Sequence, residues 1–422
     1  MQILKKIKAN FLFRVITYTG ILGIFRLIIG LISQKAIAVF VGAPGLAVLA
    51  NLRNLLEILG SFSSVGTQNG VIAETASAKD ASSLRALMNT VISLFMGASI
   101  LIAILLFWKQ EWLAMQLYLG ESNGLVLQAI AFSFPFMGLM VLIEGVLSGK
   151  KAFKAISALQ LTLAGVTAIL MILFLYLFGL LGGLIALLLR PIFGFGIYLY
   201  YLKSSKHKIF IPRTFKFQFL NLKELLPYIA MALISVGFVH AIEIGLRGFI
   251  TQRIDITSAG LWTAMNSISS NYFIFVTAVF TVYVLPKFSE NNPSFSLLSE
   301  AKSIFKMLMP IVSIGMFIVY FLRVPVIKLL YTIEFIPIAS LFKWQLAADW
   351  FRILFLVFGY YLVAKKRLVD YFIVELFSFA VFIGASIFLI DPYGIEGVAM
   401  ANTLRFVGCL ILVVYLLREK LV

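Results

Sequence analysis

Gly45-Leu46-Ala47-Val48-Leu49-Ala50-Asn51-Leu52-Arg53-Asn54-Leu55-Leu56-Glu57 lies in an apolar run that reaches Ile72, long enough to cross a bilayer. Asn51, Arg53, Asn54 and Glu57 nevertheless fall near the middle of that crossing. An arginine at the bilayer centre costs about 2.5–3.5 kcal/mol on insertion scales, so it faces protein or a water-filled cavity. Two readings stay open. Arg53 and Glu57 stand one helical turn apart and can neutralise each other, or this polar face lines a pathway through the membrane.

Composition widens that reading to the whole chain. Of its 422 residues, 62% are hydrophobic and only 13% charged, far from the balance of a soluble domain. Cys409 is the only cysteine, so no disulfide forms within the chain and no metal or thiol site is indicated. No cofactor is implied. Lys5, Lys6 and Lys8 before an apolar run imitate a signal peptide, and Ala36-Ile37-Ala38 imitates a cleavage site. That run is too long for a signal peptide and is interrupted by Arg26 and Lys35, so a retained first helix is expected.

Outward from the opening stretch, apolar segments centre on Ile16–Phe40, Leu46–Ile72, Leu84–Phe107, Val126–Leu147, Ile156–Phe178 and Leu181–Tyr201. A second set covers Leu225–Ile250, Ala259–Leu285, Ile304–Phe321, Leu341–Val363, Tyr371–Ile390 and Ile395–Leu416. The expected fold class is all-α, a polytopic membrane protein of twelve transmembrane helices. Glycine and proline punctuate the tight joints at Gly42-Ala43-Pro44-Gly45, at Gly179 with Gly182-Gly183, and at Asp391-Pro392-Tyr393-Gly394.

The formal charge of +17 could suggest nucleic acid, but its placement argues otherwise. Twenty-three of the 35 Lys and Arg residues fall on the side of the termini and four on the other, which puts both termini in the cytoplasm. The basic charge is topology, and nucleic acid is not an expected partner. The remaining eight lie within spans: Arg26, Lys35, Arg53, Arg190, Arg247, Lys343, Arg352 and Arg405. Intramembrane acids are Glu57, Glu144, Glu243, Asp349 and Glu375. Arg53–Glu57, Glu243–Arg247 and Asp349–Arg352 are local pairs, whereas Arg26, Arg190 and Arg405 have no local partner. The membrane interior is net basic.

An offset of 215 residues aligns Gly45-Leu46 with Gly260-Leu261, Asn51 with Asn266, and Lys150-Lys151 with Lys365-Lys366. It also places Gly179, Gly182 and Leu189-Arg190 on Gly394, Gly397 and Leu404-Arg405. The organisation expected is a six-helix bundle over 1–203, a cytoplasmic connector over 204–221 and a second bundle over 222–422. Six crossings return the chain to its starting side, so the halves run parallel about an axis along the membrane normal. A substrate site is then expected between them near the midplane. The basic, aromatic connector is expected to lie on the membrane surface.

No phosphate-binding glycine loop, zinc spacing or nucleophile elbow occurs. Gly66-Thr67-Gln68-Asn69-Gly70 reads as helix packing or a kink. His240 and Glu243, one turn apart beside Arg247, can titrate as a proton relay or form a structural hydrogen-bonded cluster. Glu57, Asp349 and Glu375 are the other coupling-ion candidates. Arg190 precedes Pro191, where a kink is expected. Asn51 and Asn266 either line the pathway or hold helices together by hydrogen bonds.

These features resemble the multidrug/oligosaccharidyl-lipid/polysaccharide exporter superfamily, and within it the Wzx-type O-antigen and enterobacterial common antigen flippases. The resemblance rests on Ala50-Asn51-Leu52-Arg53, on Ser267-Ile268-Ser269 leading to Tyr283-Val284-Leu285-Pro286, and on Trp344-Gln345 with Asp349, running on to Phe358-Gly359-Tyr360 and Ala364-Lys365. It implies a flippase that carries an undecaprenyl-diphosphate-linked glycan across the bacterial inner membrane by ion-coupled alternating access through a cationic cavity. Partners it implies are the lipid bilayer, a glycan polymerase and a chain-length regulator. Arg53 and Arg247 carry over from the matching stretches; Arg26, Arg190, Lys343 and Arg405 rest on their intramembrane position. A drug or peptidoglycan-precursor exporter would share the fold. A membrane-embedded glycan polymerase or ligase would need a large periplasmic loop, and the connections on that side are short.

Overall fold

The structure, a computed structural model, describes residues 2–61, 71–72, 75, 81–120, 124–204, 237–284, 287–288, 296–365 and 367–418. Most of the 204–221 connector, the Gly66–Gly70 segment and the Leu285-Pro286 pair lie outside them. Among the described residues the chain is helical, with no strand. Hydrocarbon offers no water to the backbone, and a helix satisfies its own N–H and C=O groups within one segment.

The helices are α1 (Gln2–Gly60), α2 (Ala81–Trp108), α3 (Gln110–Gln116), α4 (Gly124–Gly149), α5 (Phe153–Ser204) and α6 (Phe238–Arg253). There follow α7 (Ile256–Val279), a π-helical turn (Phe280–Val284), α8 (Leu297–Phe321), α9 (Arg323–Leu330) and a 3-10 segment (Ile333–Ser340). The last three are α10 (Phe342–Ala364), α11 (Leu368–Tyr393) and α12 (Ile395–Leu416). Eight described helices are long and apolar enough to span a membrane, and two of them, Ile21–Gly60 and Phe153–Ser204, run to 40 and 52 residues. Each of these is two helices joined at one glycine, Gly42 (φ 62°, ψ −165°) and Gly179 (φ 56°, ψ −135°). The fold class is all-α and polytopic, consistent with twelve crossings in two six-helix bundles.

Gly179 and Gly394 show what the repeat means in space. Both have φ 56°, a left-handed value, with ψ −135° and −140°, a combination open to glycine and strained for any other residue. Three residues later in each half the chain folds back on its own backbone. A Cβ on Gly182 would lie 1.9 Å from the Phe174 carbonyl oxygen, and one on Gly397 2.1 Å from that of Leu389. Phe174 and Leu389 are themselves 215 positions apart. The same turn is therefore built twice from the same two glycines. At Pro191 α5 keeps helical dihedrals, and its non-helical break lies at Gly179. Membrane helices tolerate proline where neighbours and small local adjustments re-satisfy the freed backbone group.

The chain divides into two compact units, one of Met1–Val41 with Val48–Gly245, the other of Gly42–Ala47 with Leu246–Val422. In the first, Phe95, Leu142, Val146, Leu159, Leu163 and Tyr198 from α2, α4 and α5 form a buried core. In the second, Phe280, Ile353, Phe358, Phe406, Cys409 and Val413 do so around α10 and α12. Lipid tails are as apolar as leucine, so close packing holds these bundles together, and small residues let helices approach. Gly183, whose Cβ would stand 3.1 Å from Leu49, marks one such approach in the first unit.

Candidate functional site

In the first unit Arg26 projects from α1 as an exposed side chain. Its guanidinium donates to the Oε1 of Gln160 on α5. The Nε2 of Gln160 in turn donates to the Oε1 of Glu144 on α4 at 3.5 Å, and the same carboxylate oxygen accepts from the hydroxyl of Tyr198. Tyr198 is fully buried, which explains why its hydroxyl needs a strong acceptor. Arg190, also exposed, lies within electrostatic reach of Tyr198. Arg26 and Arg190, lone cations in the sequence, thus border one polar chain. Glu144, Gln160 and Tyr198 were not singled out by sequence. Glu144 was visible as an intramembrane acid, but its two partners lie 16 and 54 residues away and carry no charge.

A second cluster in the same unit sits under the opening stretch. Asn54 is buried and donates its Nδ2 to Glu243 Oε2 at 2.7 Å, while His240 Nδ1 stands 3.9 Å from that oxygen. Glu243 and His240 are thereby joined to the helix that carries Arg53 and Glu57. Arg53 is exposed and Glu57 half-buried. Asn51 is buried and donates to the Leu117 carbonyl at 3.3 Å, at the end of α3 where helical carbonyls lack partners. That contact is the helix-joining role open to it from sequence.

The second unit is built differently. Asp349 on α10 is fully buried and accepts from Ser269 Oγ at 2.7 Å, from Gln345 Nε2 at 3.2 Å and from the Tyr272 hydroxyl. Gln345 is held from behind by Asn402 Nδ2 at 3.4 Å. Glu375 on α11 is half-buried and hydrogen-bonded to Tyr371. Arg352 acts electrostatically on both carboxylates, and Arg405 on Glu375. The two guanidiniums share the Phe406 ring, at 5.6 Å and 4.9 Å, and Arg405 also donates to Ser378 Oγ at 2.6 Å. Two acids and two bases are gathered there among phenylalanines. Arg405 is half-buried there, over Phe379 and Phe382 as well. Arg247 is buried at 3% exposure, 5.8 Å from the Trp262 ring. Asn266 is half-buried, and Lys343 pairs with Glu396 at 3.1 Å.

Among the described residues, no group of three or more histidine, cysteine, aspartate or glutamate side chains could hold a metal ion.

No family model matches the chain. It is 28% identical over 401 residues to the lipid III flippase of Escherichia coli strain K12, covering 90% of this chain and 91% of that one. The lipid III flippase of Shigella flexneri gives the same identity and coverage. Among solved structures, the lipid II flippase MurJ in an inward closed conformation aligns over 95% of this chain and 87% of its own, with a TM-score of 0.75 at 16% identity. An inward-facing MATE family multidrug transporter of the MOP superfamily aligns over 94% and 95%, with a TM-score of 0.68 at 14% identity. The fold is that of MurJ and the MATE transporters. These relatives are flippases and transporters, not enzymes.

Proposed function

We propose that this protein is a flippase for a lipid-linked oligosaccharide of the undecaprenyl-diphosphate type, moving it from the cytoplasmic to the periplasmic leaflet of the bacterial inner membrane. One observation carries the reading. Arg26, Arg53 and Arg190 are exposed within spans of the first unit. The exposed surface of a membrane span meets either lipid or a water-filled cavity, and an arginine selects the cavity by several kcal/mol. Guanidinium groups there suit a diphosphate, whose oxygens they engage two at a time, and disfavour a cationic drug. The resemblance to lipid III flippases supports a glycan carrier over a drug exporter.

In this reading the apolar tail stays in the bilayer while the head group passes through the protein. Arg26, Arg53 and Arg190 bind the diphosphate, Asn51 fixes its own helix against the end of α3 in the same unit, and Arg247, Arg405 and Asn266 are the polar candidates of the second unit. Coupling belongs to the buried acids. A driver must bind the inward and outward forms differently, and a carboxylate whose hydrogen bonds rearrange between forms does so. Asp349 and Glu375 are proposed for that role, with the His240–Glu243 pair and Glu57 as further titrating groups. Both termini face the cytoplasm, and the proposed partners, a glycan polymerase and a chain-length regulator, act on the periplasmic side.

The test is transport in proteoliposomes loaded with a fluorescent undecaprenyl-diphosphate oligosaccharide, followed by accessibility of the head group to an outside glycosidase. Wild-type protein is expected to move it; Arg26→Ala, Arg53→Ala and Arg190→Ala are each expected to slow it by about tenfold. Equal rates for wild type and all three variants would refute the cationic site.

A further inference from the structure

We propose that Gln160 is a positioning residue, which holds the Arg26 guanidinium for the diphosphate without letting Glu144 neutralise it. The inference rests on Arg26 being a substrate contact. Arg26 and Glu144 come from different helices and do not pair directly: the side-chain amide of Gln160 stands between them, accepting from the one and donating to the other. The orientation of that amide is determined by its neighbours. A guanidinium only donates hydrogen bonds, so the amide turns its oxygen to Arg26 and its nitrogen to Glu144. Tyr198, buried and donating to the same carboxylate oxygen, holds Glu144 in place. The guanidinium thus gains a neutral tether on one nitrogen and keeps its remaining donors and its charge.

The other half of the chain supports this by contrast. The 215-residue offset that aligns the Gly179 turn with the Gly394 turn places Gln160 on Glu375. There the residue is a carboxylate, and Arg405, the counterpart of Arg190, lies in its field. That arginine is half-buried and turned against Ser378 and three phenylalanine rings. An amide accompanies the exposed Arg26 in one half, and a carboxylate at the position equivalent to that amide accompanies the half-buried Arg405 in the other. A carboxylate acceptor adds the attraction of a full negative charge to the hydrogen bond that a guanidinium already makes to a neutral amide. A carboxylate at 160 would compete with the substrate for Arg26; a glutamine does not.

The experiment measures binding of undecaprenyl diphosphate, which carries the lipid and the diphosphate but no sugar, to the full-length protein purified in detergent. Gln160→Glu is expected to weaken binding about tenfold or more and to flatten its dependence on ionic strength, because one effective positive charge is withdrawn. Gln160→Leu removes the tether but adds no charge, and is expected to weaken binding about two- to fivefold, leaving the ionic-strength dependence intact. In an Arg26→Gln background both substitutions are expected to be silent. Wild-type affinity in Gln160→Glu, or the same loss with and without Arg26, would overturn the inference. If Gln160→Glu fails to assemble, the Gln160→Leu cycle with Arg26→Gln decides alone. Wild-type affinity in Arg26→Gln itself would instead overturn the substrate reading, and this inference with it.

Discussion

Arg53 is where charge and geometry can be separated. It is exposed, while the adjacent Asn54 is engaged with Glu243. If Arg53 engages two oxygens of a diphosphate, lysine keeps the charge but loses the planar fork. Arg53→Lys is then expected to retain partial transport, about tenfold reduced, and Arg53→Glu to abolish it at normal membrane levels. If Arg53 only neutralises Glu57, the exchange Arg53→Glu with Glu57→Arg restores transport, because reversing such a pair changes it by only a few tenths of a kcal/mol. Surface glycan in a deletion strain reads the difference. Asp349 poses the complementary question. Its oxygens accept from Ser269, Tyr272 and Gln345. Asp349→Asn brings a donor into a pocket already filled with donors, so about 1–3 kcal/mol of stability is expected to be lost. If Asp349 carries the coupling charge, transport by that variant no longer responds to the ion gradient, measured in vesicles with the gradient imposed and collapsed. Gradient-driven transport at the wild-type ratio would assign Asp349 a structural role.

At the scale of elements, the paired glycine turns carry a stability prediction. Gly397 approaches the Leu389 carbonyl so closely that a methyl group must displace backbone. Gly397→Ala is expected to cost about 1–3 kcal/mol, seen as a lower melting temperature in detergent. Gly182→Ala is expected to do the same in the other half, where the oxygen is that of Phe174. Gly384 is the control: nothing lies within 4 Å of a Cβ there, so Gly384→Ala is expected to be neutral or slightly stabilising. Equal melting temperatures for Gly397→Ala and Gly384→Ala would mean that the backbone at the turn can relax. Proline and glycine also leave different marks on α5, which stays helical in its dihedrals at Pro191 and leaves them at Gly179. A proline removes one donor from a helix that neighbours can compensate, whereas a glycine at φ 56° records a backbone state that only glycine adopts readily.

At the scale of the whole molecule, the charge bias of 23 to 4 predicts that both termini are cytoplasmic. A reporter domain fused after Lys151 is expected to read cytoplasmic and one fused after Glu111 periplasmic. The reverse at either site would change the number or direction of crossings. The two halves share turns but differ in what surrounds their arginines: Arg26, Arg53 and Arg190 are exposed in the first, whereas Arg352 and Arg405 are half-buried against aromatic rings in the second.

The all-α membrane-spanning fold, the spans and the glycine joints could be read from sequence, because hydrocarbon imposes length, apolarity and internal hydrogen bonding on each segment separately. Arg26, Arg53, Arg190, Asp349 and Glu375 were also visible, since an ionisable residue in an apolar run stands out without any partner being known. Which of them are exposed, and what holds each, was decided by tertiary structure. Arg26 and Arg405 look equally unpartnered along the chain; folding brings a neutral glutamine to one, and a serine, three aromatic rings and a nearby glutamate to the other. Glutamine, serine, tyrosine and phenylalanine are unremarkable in a membrane helix. Their meaning depends on which distant side chain they meet, and no local pattern records that.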